Sequence, residues 1–143
     1  MAIPAFNADG FLPQGVYLAT DAEVTFRFGG GNRRRNWLVL RLRRWIELAR
    51  AVKARRLLID GSFVTAIDDP NDVDAVILIP EDFDGLLASG YEPALELKEM
   101  FETRRPEEIF SAEDERDWNR WVEFFSRSRE PDRRRKGVIE VIL

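Results

Sequence analysis

Two short apolar runs joined by a turn-rich loop constrain this chain more than any other feature. Leu57-Leu58-Ile59 reads as a buried strand, Gly61-Ser62 as a tight turn, and Asp68-Asp69-Pro70-Asn71 as a loop with turn chemistry. The loop leads into a second apolar strand, ending near Ile79, that carries Asp72 and Asp74 at its start. Strand side chains alternate between faces, so Asp72 and Asp74 share one face while Val73, Ala75, Ile77 and Ile79 fill the other. Two carboxylates placed in this way repel each other unless a cation lies between them. Hard ions such as Mg2+ take oxygen ligands of this kind and share them with substrate phosphates. Gly61 lets a phosphate approach the backbone, and Ser62 offers it a hydroxyl and an amide N–H. Each half of the pattern also has a plain reading as turn sequence; the ordered combination is what points to a site.

The flanking sequence supplies helices. Residues 1–19 are broken by Pro4, Gly10, Pro13 and Gly15, with Ile3, Phe6, Phe11, Leu12 and Val16 between them, and read as an extended arm packed on the body. Thr20 and Glu23 form a capping-box pattern for a short helix ended by Gly29-Gly30-Gly31. From 33 to 54 the spacing of Leu38, Leu42, Trp45, Ile46, Ala49 and Val52 predicts the main helix, with Arg34, Arg41, Arg44 and Lys53 on its other side. Pro80-Glu81-Asp82 opens a short helix to Ala88, and 92–103 predicts another. Glu107-Glu108-Ile109-Phe110 is a candidate strand. Ser111, with Asp114 three residues on, is read as the cap of a last helix whose apolar face is Trp118, Trp121, Val122 and Phe125. A polar loop over 127–136 precedes a final strand from Gly137 to Leu143. Strands interleaved with helices predict a single α+β (α/β) domain over 1–143, a small mixed β-sheet flanked by helices.

Composition narrows the chemistry. The 143 residues include no histidine and no cysteine. Ser-His-Asp catalysis, His- or Cys-ligated zinc, disulfides and a Cys nucleophile are thereby excluded. Catalysis must run on carboxylates, Lys, Arg, Tyr, Ser or Thr. No apolar run approaches the ~20 residues that span a bilayer. The first residues lack a basic stretch followed by an apolar one, so a cytoplasmic protein without a membrane partner is expected. The net charge of −4 is segregated: 33–56 is basic, 60–117 acidic, and Arg133-Arg134-Arg135-Lys136 basic again. Such segregation suits a cation-binding cleft beside an anion-binding surface, and equally suits solvated helix faces.

The order strand, Gly61-Ser62, spacer, Asp72-x-Asp74, strand resembles the nucleotidyltransferase superfamily that includes DNA polymerase beta. The full chain also resembles a group of small bacterial proteins of that superfamily, through Pro4-Ala5-Phe6-Asn7, Gly10-Phe11-Leu12-Pro13-Gln14-Gly15, Gly61-Ser62-Phe63 and Lys136-Gly137-Val138-Ile139. The resemblance implies Mg2+ (or Mn2+) held by Asp72, Asp74 and a third carboxylate, with Glu108 first and Glu107 and Glu140 as competitors. It implies an NTP whose phosphates are held by Gly61 and Ser62. It further implies nucleoside monophosphate transfer to a hydroxyl of a protein, RNA or small-molecule acceptor, in a setting such as a toxin–antitoxin or defence pair. Arginines of the basic helix, or 133–136, would neutralise phosphate or hold RNA. The sequence departs from the pattern in two places. Phe63-Val64-Thr65-Ala66 puts no positive charge after Ser62, and Asp60 adds a negative one before Gly61. A catalytically inactive domain of the same fold, binding a partner protein, is the alternative reading.

Overall fold

In the computed structural model, which describes residues 3–103, 108–127 and 135–143, five strands form one mixed sheet in the order β1-β5-β2-β3-β4. The strands are β1 (Gly15–Ala19), β2 (Arg56–Asp60), β3 (Asp74–Leu78), β4 (Glu108–Ala112) and β5 (Gly137–Val141). The helices are α1 (Asp21–Phe28), α2 (Arg33–Ala51), α3 (Phe83–Ala88), α4 (Glu92–Thr103) and α5 (Glu115–Phe125). β2 runs antiparallel to β3 and β5, whereas β1–β5 and β3–β4 are parallel pairs. The α+β class and the mixed sheet expected from the alternation of elements are what the chain forms.

The sheet separates two apolar clusters of unequal size. Ala75 and Ile77 of β3, with Leu57 and Ile59 of β2, face residues of α1, α2, α3 and α4. Every member of the α2 stripe from Leu38 to Val52 is buried there. Val76 and Leu78, with Leu58 and Val138, face Trp118 and Phe125 of α5. A strand covered on both faces reads as continuous apolar sequence, and β3 is buried along its whole length for that reason. Asp60 and Asp74 share the face of Leu58 and Val76, so the carboxylates lie on the α5 side, where a single helix leaves part of the sheet uncovered.

The capping box at Thr20 forms as the sequence predicts: the hydroxyl accepts from the Glu23 N–H and Glu23 accepts from the Thr20 N–H. Four sequence expectations change. The second apolar strand begins at Asp74 and ends at Leu78, so Asp72 lies in the loop before it and not on a strand face with Asp74. Residues 15–19 are an edge strand of the sheet and not part of an arm. Ser111 lies inside β4, because pairing with β3 carries the strand on to Ala112; Asp114 is the cap of α5 and accepts from the Asp117 N–H at 2.8 Å. The polar loop over 127–136 is bounded by a bridge between Arg127 and Arg135, and its last residue, Lys136, is buried. Residues 128–134, including Arg133 and Arg134, and Glu107 lie outside the described residues.

Candidate active site at the carboxylate end of the sheet

The register of three strands builds the site. Asp60 at the end of β2 is paired directly with Asp74 at the start of β3, and Asp74 is paired with Glu108 at the start of β4. Residues in register on neighbouring strands project to the same face about 4.8 Å apart. Asp60, Asp74 and Glu108 thus form a row of three carboxylates across the end of the sheet. Asp60 and Asp74 are buried, at 4% and 2% exposure, and Glu108 is exposed.

Asp72 joins them through the Gly-Ser turn. Its Oδ1 accepts from the Ser62 N–H at 2.8 Å and from the Ser62 hydroxyl at 2.6 Å. Ser62 Oγ in turn accepts from the N–H groups of Asn71 and Asp72. The groups that the sequence offered to phosphate are therefore engaged in orienting Asp72. Gly61 has a related reason to be glycine. Its φ is +93°, and a Cβ there would lie 3.0 Å from the Asp72 carbonyl oxygen and 3.1 Å from the Asp74 nitrogen. The close approach at Gly61 is made by the backbone leading into β3.

Asp60 is answered by a residue distant in sequence. Lys136, just before β5, donates through Nζ to both Asp60 carboxylate oxygens at 2.5 Å. Lys136 is itself only 8% exposed. Burial pushes the Asp60 carboxyl up to about 6, against the opposing pull of Lys136. Gly137 fixes where this lysine sits, since any side chain there would collide with the Pro13 carbonyl and the Tyr17 ring. The Lys-Gly pair thereby docks the start of β5 on the N-terminal segment and aims the lysine at β2.

The loop between Phe63 and Asn71 is held by the start of α2. Arg35 is buried and donates to the carbonyls of Phe28, Phe63, Thr65 and Ile67. Arg34 donates to the carbonyls of Pro70 and Asn71, and the Asn32 amide to that of Asp68. Arg44 pairs with Glu96 on α4. The arginines that the sequence offered to phosphate or RNA at these three positions instead serve the loop and the helix packing.

A cavity of about 440 Å³ opens at this end of the sheet. Asp60, Ser62, Asp72 and Asp74 line it, and so do Lys136 and Arg127. Phe11, Ile67, Phe124 and Phe125 supply its apolar wall. Of the sequence-predicted site residues, Gly61, Ser62, Asp72 and Asp74 meet here. Glu108 is beside Asp74 in register but is not part of the cavity lining. Glu140 is engaged elsewhere: its two oxygens accept from Arg56 at 2.7 and 2.8 Å, one step further along the sheet. Among the described residues, no three acidic, His or Cys side chains converge as a ready three-ligand metal cluster. Sequence reasoning missed Asp60–Lys136 as a pair and Arg127 as a cavity residue. The usable signal was Lys136 itself, a charge in phase with Val138 on a buried strand.

A row of carboxylates of which Asp60 and Asp74 are buried, a turn that orients one further carboxylate, and two basic lining residues define an α+β protein with a polar cavity at one end of a mixed sheet. The chain belongs to a family of unknown function, DUF6932, which it matches over residues 4–142. The match takes in the N-terminal segment, the whole cavity and Lys136. No curated protein and no solved structure matches it. Among the described residues, no helix is long and apolar enough to cross a membrane.

Proposed function

We propose that this protein is a nucleotidyltransferase-type domain whose cavity takes a nucleoside triphosphate with Mg2+. The observation that carries the reading is the meeting of Asp72 and Asp74 in one cavity, with Ser62 holding one oxygen of Asp72 in place. Two carboxylates fit a small hard cation, which completes its shell with substrate phosphates and water. Asp72 and Asp74 would hold the ion, with Glu108 next in the row. When bound, the ion supplies charge neutralisation at the phosphates and a lowered pKa for an attacking hydroxyl.

The remaining roles fall to the chain's own groups. Lys136, bonded to Asp60, and Arg127, paired with Glu123, are the basic residues of the cavity lining and would supply donors to phosphate oxygens beside those pairs. Gly61 and Ser62 act by positioning Asp72. In the transfer, the acceptor hydroxyl oxygen bonds to the α-phosphorus as the bond to the bridging α–β oxygen breaks. Pyrophosphate leaves, and the hydroxyl proton passes to a carboxylate at the cavity, Asp72 being the more exposed of the pair. The acceptor is a protein, RNA or small-molecule hydroxyl.

A second reading is a catalytically inactive domain that binds a partner protein, as in a toxin–antitoxin pair. The engagement of Ser62 with Asp72 and the position of Glu108 outside the cavity favour it. One experiment separates the two. The protein is incubated with each α-labelled NTP, Mg2+ or Mn2+, and bulk tRNA or lysate. Label transfer that disappears in the isosteric double variant Asp72→Asn, Asp74→Asn, with its melting curve preserved, is the expected result. Equal labelling by the double variant rules the transferase reading out.

A further inference from the structure

The cavity lining combines two chemistries. Asp72, Asp74, Lys136 and Arg127 are charged; Phe124, Phe125, Phe11 and Ile67 are apolar. Phe124 is the anomaly among these. It is 57% exposed on a helix whose other aromatics are packed together. Trp121 lies stacked on Phe110 with 4.4 Å between ring centroids, and stacked on Phe125 at 5.8 Å. Phe124 meets Trp121 and Phe125 only in T-shaped contacts, at 6.0 and 5.1 Å with interplanar angles of 89° and 80°. Those contacts hold the Phe124 ring against its neighbours, while Phe124 lines the cavity and stays more than half exposed. A volume of about 440 Å³ is that of a small-molecule site.

We infer that Phe124 is the base platform of the cavity: the aromatic base of a nucleotide stacks on its ring while the phosphates lie toward Lys136 and Arg127. The inference rests on the nucleotide reading above and adds to it the specificity-determining residue. An aliphatic or purely anionic ligand would use one kind of lining residue alone; a nucleotide uses both. Stacking on a phenyl ring is available to every base, because each has a π-face, so the platform selects nucleotides over bare polyphosphate and discriminates little among bases. Trp121 sits in edge contact with Phe124 and gives the event an optical signal.

The test uses the full chain and three probes, each with Mg2+: ATP, UTP and inorganic tripolyphosphate. Affinities are read by calorimetry and by tryptophan fluorescence. The expected result is that ATP and UTP bind within a few-fold of each other and well ahead of tripolyphosphate. Phe124→Ala and Phe124→Leu should each weaken ATP by roughly tenfold, the order of one lost base stack, and leave tripolyphosphate unchanged. Phe124→Leu keeps an apolar side chain without the ring, so an equal loss in both variants assigns the effect to stacking. Two results would overturn the inference while leaving the nucleotide reading intact. One is ATP and tripolyphosphate binding equally; the other is ATP binding unchanged in both variants. Failure of all three probes to bind would overturn both.

Discussion

Replacing Lys136 by methionine isolates the electrostatic arrangement on which the cavity depends. Methionine keeps most of the buried length of the side chain and removes the charge facing Asp60. The wild-type pair is 5% to 10% exposed at its side chains, so the remaining carboxylate has little access to water. Asp60 in the variant can stay ionised and buried, or take up a proton. The second route limits the damage. From an unfolded value of 3.8 to pH 7, at about 1.36 kcal/mol per unit, holding Asp60 neutral costs about 4 kcal/mol relative to an unfolded chain in which it ionises. The wild-type already carries about 3 kcal/mol of this, from 3.8 to its folded value of about 6, so the loss on removing Lys136 is about 1.4 kcal/mol at pH 7 and grows with pH toward the ~3–5 kcal/mol typical of breaking one side of a buried pair. The sign of the pH dependence follows. With the folded value raised to about 6, the native protein binds the Asp60 proton more tightly than the unfolded chain does. The contribution of Asp60 to stability therefore falls as pH rises from 3.8 to 6 and is level above that. Without Lys136 the folded value moves higher still, and the fall continues through neutrality. Urea unfolding of both proteins at several pH values from 5 to 8 should show a gap that widens with pH. The double variant Asp60→Asn, Lys136→Met should recover most of the loss and remove the widening. A loss under about 1 kcal/mol at pH 8, or a gap independent of pH, would refute the account.

Two further substitutions probe how the loop is held. Arg35→Met removes the donor to four carbonyls and should cost on the order of 3 kcal/mol in urea unfolding, with faster amide exchange over 63–71; a loss below about 1 kcal/mol would contradict the role given to Arg35. Gly61→Ala places a Cβ against the backbone of Asp72, Val73 and Asp74 at a positive φ, and should cost about 1–3 kcal/mol; a neutral outcome in the same assay would show that β3 can shift to accept it.

What the sequence made legible was set by local periodicity. The α2 stripe and the capping box at Thr20 depend on contacts within a few residues, and both formed as read; the strand read as starting at Asp72 starts at Asp74, and Asp72 is held by the Gly-Ser turn instead. β1 was hidden because Pro13 and Gly15 break the segment and its residues alternate between half-buried and exposed up to buried Ala19, as suits an edge strand. Arg35 was hidden inside a basic run. Yet it stands three residues before Leu38, on the extension of the same apolar stripe, and a charge in phase with core positions is the mark of a buried donor.

The Asp60–Lys136 pair was beyond local reading for a different reason. The two residues are 76 positions apart, and they meet only because β5 inserts between β1 and β2. That insertion also changes what Asp60 means for the site. Taken in sequence, it is a third negative charge ahead of the Gly-Ser turn, in the wrong place for a polyphosphate. With Lys136 bonded to both its oxygens it is one half of an ion pair, and the other carboxylates of the cavity lining are those of Asp72 and Asp74. Arg127 adds an opposing charge at the rim. A cation entering the cavity thus meets two carboxylates, and an anion entering with it meets Arg127, whose other partner is Glu123, so the acidic lining of the cavity suits a metal together with phosphate and not a lone anion.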